Sequence, residues 1–255
     1  MKKIICVALC VVLMLGLLAG CGSSGVQLSD VQKAGKLVIA TSPDFPPFEN
    51  LENGEVVGIE IDIMNLVCQE LGVELVIEQM DFDSVIPGIQ AGKFDAGVSG
   101  ITVDEDRKKN VDFCDPYFLA SQAIVVMPDS AITCKADLTG KKISVQTGTT
   151  AEKFCMGEGY EVLAFTANND AASALTTGKV DAWVVDNEVA VVLAAEQGLV
   201  VLDEAMTVEP YAFAFPKGSD TLVAKFSEIV NKLIADGTIQ GIFDKYGVLY
   251  VSPAA

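Results

Sequence analysis

The chain has 255 residues, and its 35 Asp and Glu residues outweigh 17 Lys and Arg residues, giving a formal net charge of −18 at pH 7. A chain this acidic repels nucleic acid backbones and anionic lipid head groups, so we expect neither as a partner. The sequence contains no histidine, the commonest metal ligand, and we expect no metal and no cofactor.

The N-terminus is typical of an export signal. Lys2 and Lys3 precede an uncharged, almost wholly apolar run, residues 4–20. That run is shorter than the roughly 20 residues needed to span a bilayer, whereas a basic start and a short apolar core are typical of a secretion signal. We therefore expect residues 1–20 to be removed as a signal peptide.

The end of this signal resembles the lipobox of bacterial lipoproteins, Leu18-Ala19-Gly20-Cys21. The resemblance implies that Cys21 is lipidated, becomes the first mature residue and anchors an extracytoplasmic protein to the cell membrane. An ordinary cleaved signal with an incidental cysteine is the alternative. Because residues 22–25 have few side chains that can pack, residues 21–35 are predicted to be the lipidated cysteine and a flexible tether.

Four further cysteines belong to the mature chain. They are Cys68, Cys114, Cys134 and Cys155. No pair has CxxC spacing, and with no histidine the set does not suit a zinc site. Small buried residues are the default interpretation, and a bridge between Cys134 and Cys155 stays open.

The first half of the mature chain alternates strand and helix patterns. In chain order the predictions are a strand at 37–40, a helix at 59–71, a strand at 75–77, a helix capped by Asp83 and a strand at 96–98. This β-α-β-α-β order predicts a parallel sheet covered by helices.

A similar pattern restarts in the second half. In chain order the predictions are an extended run at 123–127, a strand at 143–145, a helix from Thr150, a strand at 182–185, a helix ending at Gly198, an extended run at 211–215 and a long C-terminal helix. Two such units predict two lobes. The two extended runs are predicted to cross between them, so that lobe 1 is 36–123 plus 213–255 and lobe 2, inserted, is 124–212.

Two predicted helix starts are built alike. Residues 102–105 and 149–152 both have threonine at the cap and glutamate three residues later, the form of a capping box. Each follows a strand with a glycine, Gly100 or Gly148, in the turn. A helix N-terminus at the carboxyl end of a strand suits a bound anion, although a capping box can also serve only to start a helix.

Arg107 is the only arginine in the chain. It lies five residues beyond Thr102, and its guanidinium can bind a carboxylate through two parallel hydrogen bonds. The alternative is a solvated side chain within the charged run 104–109. The sequence pattern alone leaves the two interpretations level.

Short motifs occur along the whole mature chain, at 40–49 (ATSPDFPPFE), 57–62 (VGIEID), 81–82 (DF), 95–102 (DAGVSGIT), 107–109 (RKK), 111–113 (VDF), 145–150 (VQTGTT), 181–186 (DAWVVD) and 215–219 (FPKGS). In their order and spacing, residues 36–248 resemble the amino-acid-binding proteins of polar amino acid ABC transporters. The resemblance implies an α/β, two-lobed periplasmic-binding-protein fold of type II. Each lobe is then a mixed, mainly parallel sheet flanked by helices.

The resemblance also assigns a carboxylate site. Arg107 would clamp the α-carboxylate of a bound amino acid, with help from the backbone at Thr102 and Thr150.

An ammonium site and a side-chain site follow in the same way. Asp186, the Ser99–Gly100 turn and the Thr102 hydroxyl would hold the α-ammonium group, and Phe45 and Phe82 would sandwich the ligand's side chain. Asp186 could instead cap the next helix, and the two phenylalanines could be core residues.

Specificity for the ligand's side chain is less defined. Family members that bind cationic amino acids often have aspartate at the position of Ser42, and a glutamine-binding type has lysine at that of Gln146. These two residues favour a neutral, polar L-amino acid, because a buried cationic head needs a partner. Glu60, and also Glu49, could supply that partner, and they keep a cationic ligand open.

We therefore expect a monomeric, extracytoplasmic binding protein that hands a polar L-amino acid to an ABC transporter permease and is not an enzyme. The alternatives are a secreted dehydratase of the same fold and a ligand-sensing module. A dehydratase needs a proton donor of raised pKa, whereas an Asp186 that faces a ligand ammonium group would be held ionised.

Overall fold

The structure of the protein is a computed structural model that describes residues 25–253. Its strands are β1 (Lys36–Thr41), β2 (Asp44–Phe45), β3 (Glu49–Glu52), β4 (Glu55–Val57), β5 (Glu74–Gln79), β6 (Ala96–Gly97), β7 (Val111–Phe113), β8 (Phe118–Ala120), β9 (Gln122–Val126), β10 (Lys142–Gln146), β11 (Glu161–Phe165), β12 (Ala182–Asp186), β13 (Val200–Val201), β14 (Glu209–Tyr211) and β15 (Ala214–Pro216). Its helices are α1 (Leu28–Ala34), α2 (Ile59–Leu71), α3 (Phe82–Gln90), α4 (Thr150–Gly157), α5 (Asn168–Thr176), α6 (Asn187–Gln197), α7 (Asp220–Ala235) and α8 (Thr238–Lys245), with short 3₁₀ turns at Arg107–Lys109 and Lys135–Leu138.

Two five-stranded sheets form the centres of two lobes. The first has the order β5-β1-β6-β15-β7, with β1 parallel to β5 and β6 and with β15 antiparallel to its neighbours. The second has the order β11-β10-β12-β9-β13, with β10 parallel to β11 and β12 and with β9 antiparallel to its neighbours. Both sheets are mixed, as the resemblance implied.

A separate two-stranded pair connects the lobes. Strands β8 and β14 run antiparallel, with Phe118 opposite Tyr211 and Ala120 opposite Glu209. The prediction that 123–127 forms a crossing is wrong, because β9 lies inside the second sheet, whereas the run 211–215 begins at Tyr211 of the crossing strand β14 and continues into β15 of the first sheet. Only Ser121 separates β8 from β9 and both are apolar, so hydrophobic pattern cannot show where the chain changes sheets.

The segment that precedes β1 is ordered. The Gln27 side chain donates a hydrogen bond to the Gly218 carbonyl at 2.7 Å, the Leu28 N–H donates to Thr221 Oγ1 at 3.0 Å, and Val31 of α1 is buried in the core. The prediction of a flexible tether is therefore wrong from residue 25 onward. The predicted signal peptide, Cys21 and residues 22–24 lie outside the described residues.

The helix predicted from Thr102 is also wrong. Thr102 forms a single β-bridge with Tyr211, and a short 3₁₀ turn follows only at Arg107–Lys109. The Asp104 carboxylate accepts hydrogen bonds from the N–H groups of Asp106 and Arg107, at 2.7 and 2.8 Å. Such local side-chain bonds compete with a helix. At α3 the capping position is Asp81, whereas Asp83 lies within the first turn.

All four cysteines in the described chain are free thiols, with Cys68, Cys114 and Cys155 buried and Cys134 half-buried. The structure thus contains no Cys134–Cys155 bridge. Burial raises the pKa of the Cys68 thiol to about 11 and those of Cys114 and Cys155 to about 12, which keeps these thiols protonated and unreactive. Within residues 25–253, no helix is long and apolar enough to cross a membrane.

Candidate functional site

Most of the predicted site residues converge on one cavity between the lobes, whereas Ser42, Ser99 and Glu60 do not line it. The cavity is lined by Phe45, Phe82, Gly100, Thr102, Arg107, Gln146, Thr149, Thr150 and Asp186. Strands β10 and β12 end at Gln146 and Asp186, so the cavity lies where the strands of the second sheet end. This is the edge at which open α/β sheets bind ligands.

Arg107 lies inside this cavity and is not a solvated surface residue, since only 11% of its side chain is exposed. Its Nη1 donates to the Thr102 carbonyl at 2.9 Å and its Nη2 to the Gly148 carbonyl at 3.2 Å. The guanidinium lies 5.4 Å from the centre of the Phe82 ring. Burial lowers the pKa of Arg107, but a guanidinium stays charged in proteins, so the cavity contains a fixed cation.

Asp186 supplies the opposite charge. It occupies the N-cap position of α6, but its side chain makes no capping hydrogen bond. Instead its Oδ1 accepts a hydrogen bond from Gln122 Nε2 at 3.2 Å. Burial raises the pKa of Asp186 to about 7, and an ammonium group placed beside it would favour the ionised form.

The Ser99–Gly100 turn presents backbone to the cavity. The Ser99 hydroxyl donates to Glu49 Oε1 at 3.1 Å and accepts from the Ser42 N–H at 3.0 Å. Gly100 has φ of +51°, and a Cβ there would lie 2.5 Å from the Phe45 ring. The turn thus requires glycine, and only its backbone faces a ligand.

The second predicted capping box does start a helix. The Thr149 hydroxyl accepts from the Glu152 N–H at 3.2 Å, and the Glu152 carboxylate accepts from the Gly148 N–H at 2.7 Å. Helix α4 therefore begins at Thr150, as predicted, and both threonines line the cavity. Its N-terminal partial positive charge adds to that of Arg107.

A carboxylate that the sequence analysis missed lies at the far end of the site. Asp44 accepts hydrogen bonds from the Ser42 hydroxyl at 3.0 Å, from Gln146 Nε2 at 3.3 Å and from the Asn168 N–H at 2.8 Å. Because Gln146 also lines the cavity, Asp44 lies one side chain beyond it. Its position two residues after Ser42, in a stretch already matched to the family, was the available signal.

Glu60 does not line the cavity, contrary to its predicted role. It lies in the first turn of α2 and is fully buried. Its Oε2 accepts from the Gly100 N–H at 3.0 Å and its Oε1 accepts from the Tyr117 hydroxyl. Glu60 thus supports the Ser99–Gly100 turn from the side that faces away from the cavity.

Several contacts join the two lobes across the cavity. They are the Arg107–Gly148 and Asp44–Asn168 hydrogen bonds, an ion pair between Lys153 and Asp106, and the close approach of Gly148 to Asp83. The lobes therefore touch on both sides of the cavity, which is the closed arrangement. Across residues 25–253, no three or more Cys, Asp or Glu side chains are grouped so as to hold a metal ion.

The cavity is thus built for a small molecule that carries both charges. Residues 37–248 match the model of the bacterial extracellular solute-binding proteins, family 3. The chain belongs to this family. The match spans both lobes and the crossing strands, so it includes every residue that lines the cavity.

Proteins similar to this chain support the assignment to the solute-binding family. The chain is 30% identical over 256 residues to the arginine-binding extracellular protein ArtP of Bacillus subtilis, covering 96% of this chain and 98% of ArtP. It is 32% identical over 266 residues to the ABC transporter glutamine-binding protein GlnH of the same organism, covering 96% and 97%. Its structure is similar to that of an ancestral amino acid-binding protein that is a precursor of cyclohexadienyl dehydratase, with a TM-score of 0.81 and 35% identity, covering 86% of this chain and 98% of the other.

Proposed function

We propose that this chain is the substrate-binding component of an amino acid ABC transporter and captures a polar L-amino acid between its lobes. The observation that carries the proposal is the pairing of Arg107 from the first lobe with Asp186 from the second on one buried cavity. An amino acid zwitterion complements this pair, with its carboxylate at Arg107 and its ammonium group at Asp186.

The ligand's side chain would then extend toward Gln146 and Asp44. The three groups that Asp44 contacts by hydrogen bonds, from Ser42, Gln146 and Asn168, are all neutral. Asp44 is half-buried, a carboxylate in such a position without a cation is costly, and a ligand guanidinium or ammonium group would offset that cost. We therefore propose a cationic side chain, with arginine as the first ligand to test, in place of the neutral one that Ser42 and Gln146 favoured.

The proposed site of action is the outer face of the membrane, where the protein meets the transporter permease as a monomer. We propose that lipid on Cys21 anchors it there. A Cys21→Ser variant should leave the membrane fraction and appear in the soluble one, with Cys68→Ser as a control that stays anchored. A Cys21→Ser protein that still pellets fully with membranes would contradict the anchor.

The competing proposal is an enzyme of the dehydratase type. A raised pKa near 7 at Asp186 is what a proton donor would need. The same carboxyl group also suits an ammonium ligand, and the relatives compared above are named as binding proteins. Incubation with prephenate-like acids separates the two, since a binding protein forms no product.

A thermal-shift screen of the mature chain against the twenty amino acids tests the proposal. A ligand that binds only the folded state stabilises it by about 2.7 kcal/mol at a hundredfold excess over Kd. We expect arginine to give the largest shift in Tm. No shift with any amino acid would contradict the proposed function.

A further inference from the structure

Two glutamates form a buried pair directly behind the cavity. Glu49 begins β3 and Glu60 lies in the first turn of α2, and both are fully buried. Their carboxyl groups are neighbours, and each affects the protonation of the other. The charges therefore lie in the core of the first lobe, where solvent cannot screen them.

The hydrogen bonds of the pair are complete only when one proton is present. Glu60 accepts from the Gly100 N–H and the Tyr117 hydroxyl, and Glu49 Oε1 accepts from the Ser99 hydroxyl. The second oxygen of Glu49, Oε2, is buried and accepts no hydrogen bond from the described residues. A proton on Glu49 lets it donate to Glu60, which gives that oxygen a role and removes one of two adjacent negative charges.

The titratable groups around the pair strengthen this argument. The acid groups that face it are Asp44, Tyr117 and Cys114. None of these can supply a positive charge. Burial and the charge of Glu60 raise the pKa of Glu49 well above its ordinary value, whereas burial raises the pKa of Glu60 against the hydrogen bonds that Glu60 accepts.

The pair is connected to the ligand site through the Ser99–Gly100 turn. Glu49 accepts a hydrogen bond from the Ser99 hydroxyl, and Glu60 accepts one from the Gly100 N–H. Gly100 also lines the cavity. We propose that Glu49 and Glu60 share a single proton and act as positioning residues that fix this turn for the ligand's ammonium group. The ligand part of this inference, which is the positioning of the turn for the ligand's ammonium group, rests on the proposed function.

A proton that the folded state holds more tightly than the unfolded state makes the free energy of unfolding fall as the pH rises. The folded chain holds the proton at pH values where an unfolded glutamate, with a pKa of about 4.5, has lost it. The stabilisation is complete below that value and is lost as the pH rises toward the raised pKa of the folded pair. Across that window the pair changes the unfolding equilibrium constant about tenfold per pH unit.

The proton is tested without ligand. We would compare denaturant unfolding across pH for wild type, Glu49→Gln and a matched control, Glu52→Gln, whose side chain lies exposed on the same strand. The glutamine amide donates to Glu60 as a protonated Glu49 would, so Glu49→Gln should fold. The change of its free energy of unfolding with pH should be smaller than that of wild type by the contribution of one proton. Infrared difference spectra at neutral pH should show one protonated carboxyl band in wild type that is absent from Glu49→Gln, whereas any band from Asp186, whose pKa is about 7, is common to both.

The positioning role is tested with the amino acid that gives the largest thermal shift. Glu60→Ala removes the acceptor for the Gly100 N–H and should weaken binding about tenfold or more, while Glu60→Gln keeps one acceptor and should recover part of the loss. Equal pH dependence of unfolding for wild type and Glu49→Gln, or no protonated carboxyl band that distinguishes the two, would overturn the shared proton. Unchanged affinity in Glu60→Ala would overturn the positioning role. A wild-type chain that shows the proton but binds no amino acid would instead contradict the proposed function, and with it the ligand part.

Discussion

Arg107 and Gly148 lie in different lobes, and the Nη2 of Arg107 donates a hydrogen bond to the Gly148 carbonyl across the cavity at 3.2 Å. The same guanidinium is held in its own lobe by the Thr102 carbonyl. Since a guanidinium has five N–H donors, three remain for a ligand carboxylate. Closure of the lobes and binding of the carboxylate can therefore depend on one side chain.

The first prediction concerns this residue. Arg107→Ala should fold but lose about two to three decades of affinity, because an unpaired buried ligand charge costs roughly 3–5 kcal/mol. The affinity of Arg107→Lys should lie between those of wild type and Arg107→Ala, since lysine keeps the charge but not the planar guanidinium. Calorimetric titration measures both, with Lys108→Ala at an exposed neighbouring position as the control. Unchanged affinity in Arg107→Ala would show that the carboxylate binds elsewhere.

The second prediction concerns selectivity. Asp44→Asn should weaken arginine binding at least tenfold and leave glutamine binding nearly unchanged, because only the cationic side chain needs the carboxylate. Asp81→Asn, at an exposed position nearby, is the control for a general change in charge. Competition calorimetry with both ligands decides the matter. Equal losses for arginine and glutamine would mean that Asp44 acts only by joining the lobes.

The third prediction concerns pH. Burial raises the pKa of Asp186 to about 7, so below that pH the free protein must release a proton before it can bind an ammonium group. We expect Kd to rise about tenfold for each pH unit below 7. In Asp186→Asn binding should be weak and independent of pH over the same range. A wild-type affinity that stays constant from pH 7 to pH 5 would contradict the assignment.

The fourth prediction concerns closure about β8 and β14. Ligand contacts from both lobes favour the closed state, so small-angle scattering should show a smaller radius of gyration at saturation. Arg107→Ala should show no decrease at the same ligand concentration. If wild type and the variant behave alike, the ligand does not draw the lobes together.

The sequence predicts most of the repeating architecture, for a clear physical reason. Buried strands such as β10 and β12, and helices that end at a glycine such as α6 at Gly198, leave local patterns that need no knowledge of distant contacts. The helix expected at Thr102 failed because the Asp104 carboxylate binds two backbone N–H groups, and residue spacing does not show which way a carboxylate turns.

The candidate site also contains residues that the sequence predicts and residues that it does not. The carboxylate and ammonium residues follow from a family motif, and the structure brings Arg107 and Asp186 to one cavity. The residues that support or extend the site do not follow, because Asp44 reaches Asn168 across 124 positions of sequence and Glu60 points into the core. The Asp44–Asn168 contact arises only when the two lobes close on each other, and the Glu60 contacts arise only when the first lobe has folded.

The most direct test of the central claim compares L-arginine with agmatine, which has the same guanidinium side chain but lacks the carboxylate. The claim is that Arg107 and Asp186 together recognise the backbone of an amino acid. Calorimetry on the mature wild-type chain should show saturable binding of L-arginine to one site, and affinity for agmatine that is about two to three decades weaker. Agmatine binding as tight as that of L-arginine, or no binding of L-arginine or any other amino acid, would contradict the claim.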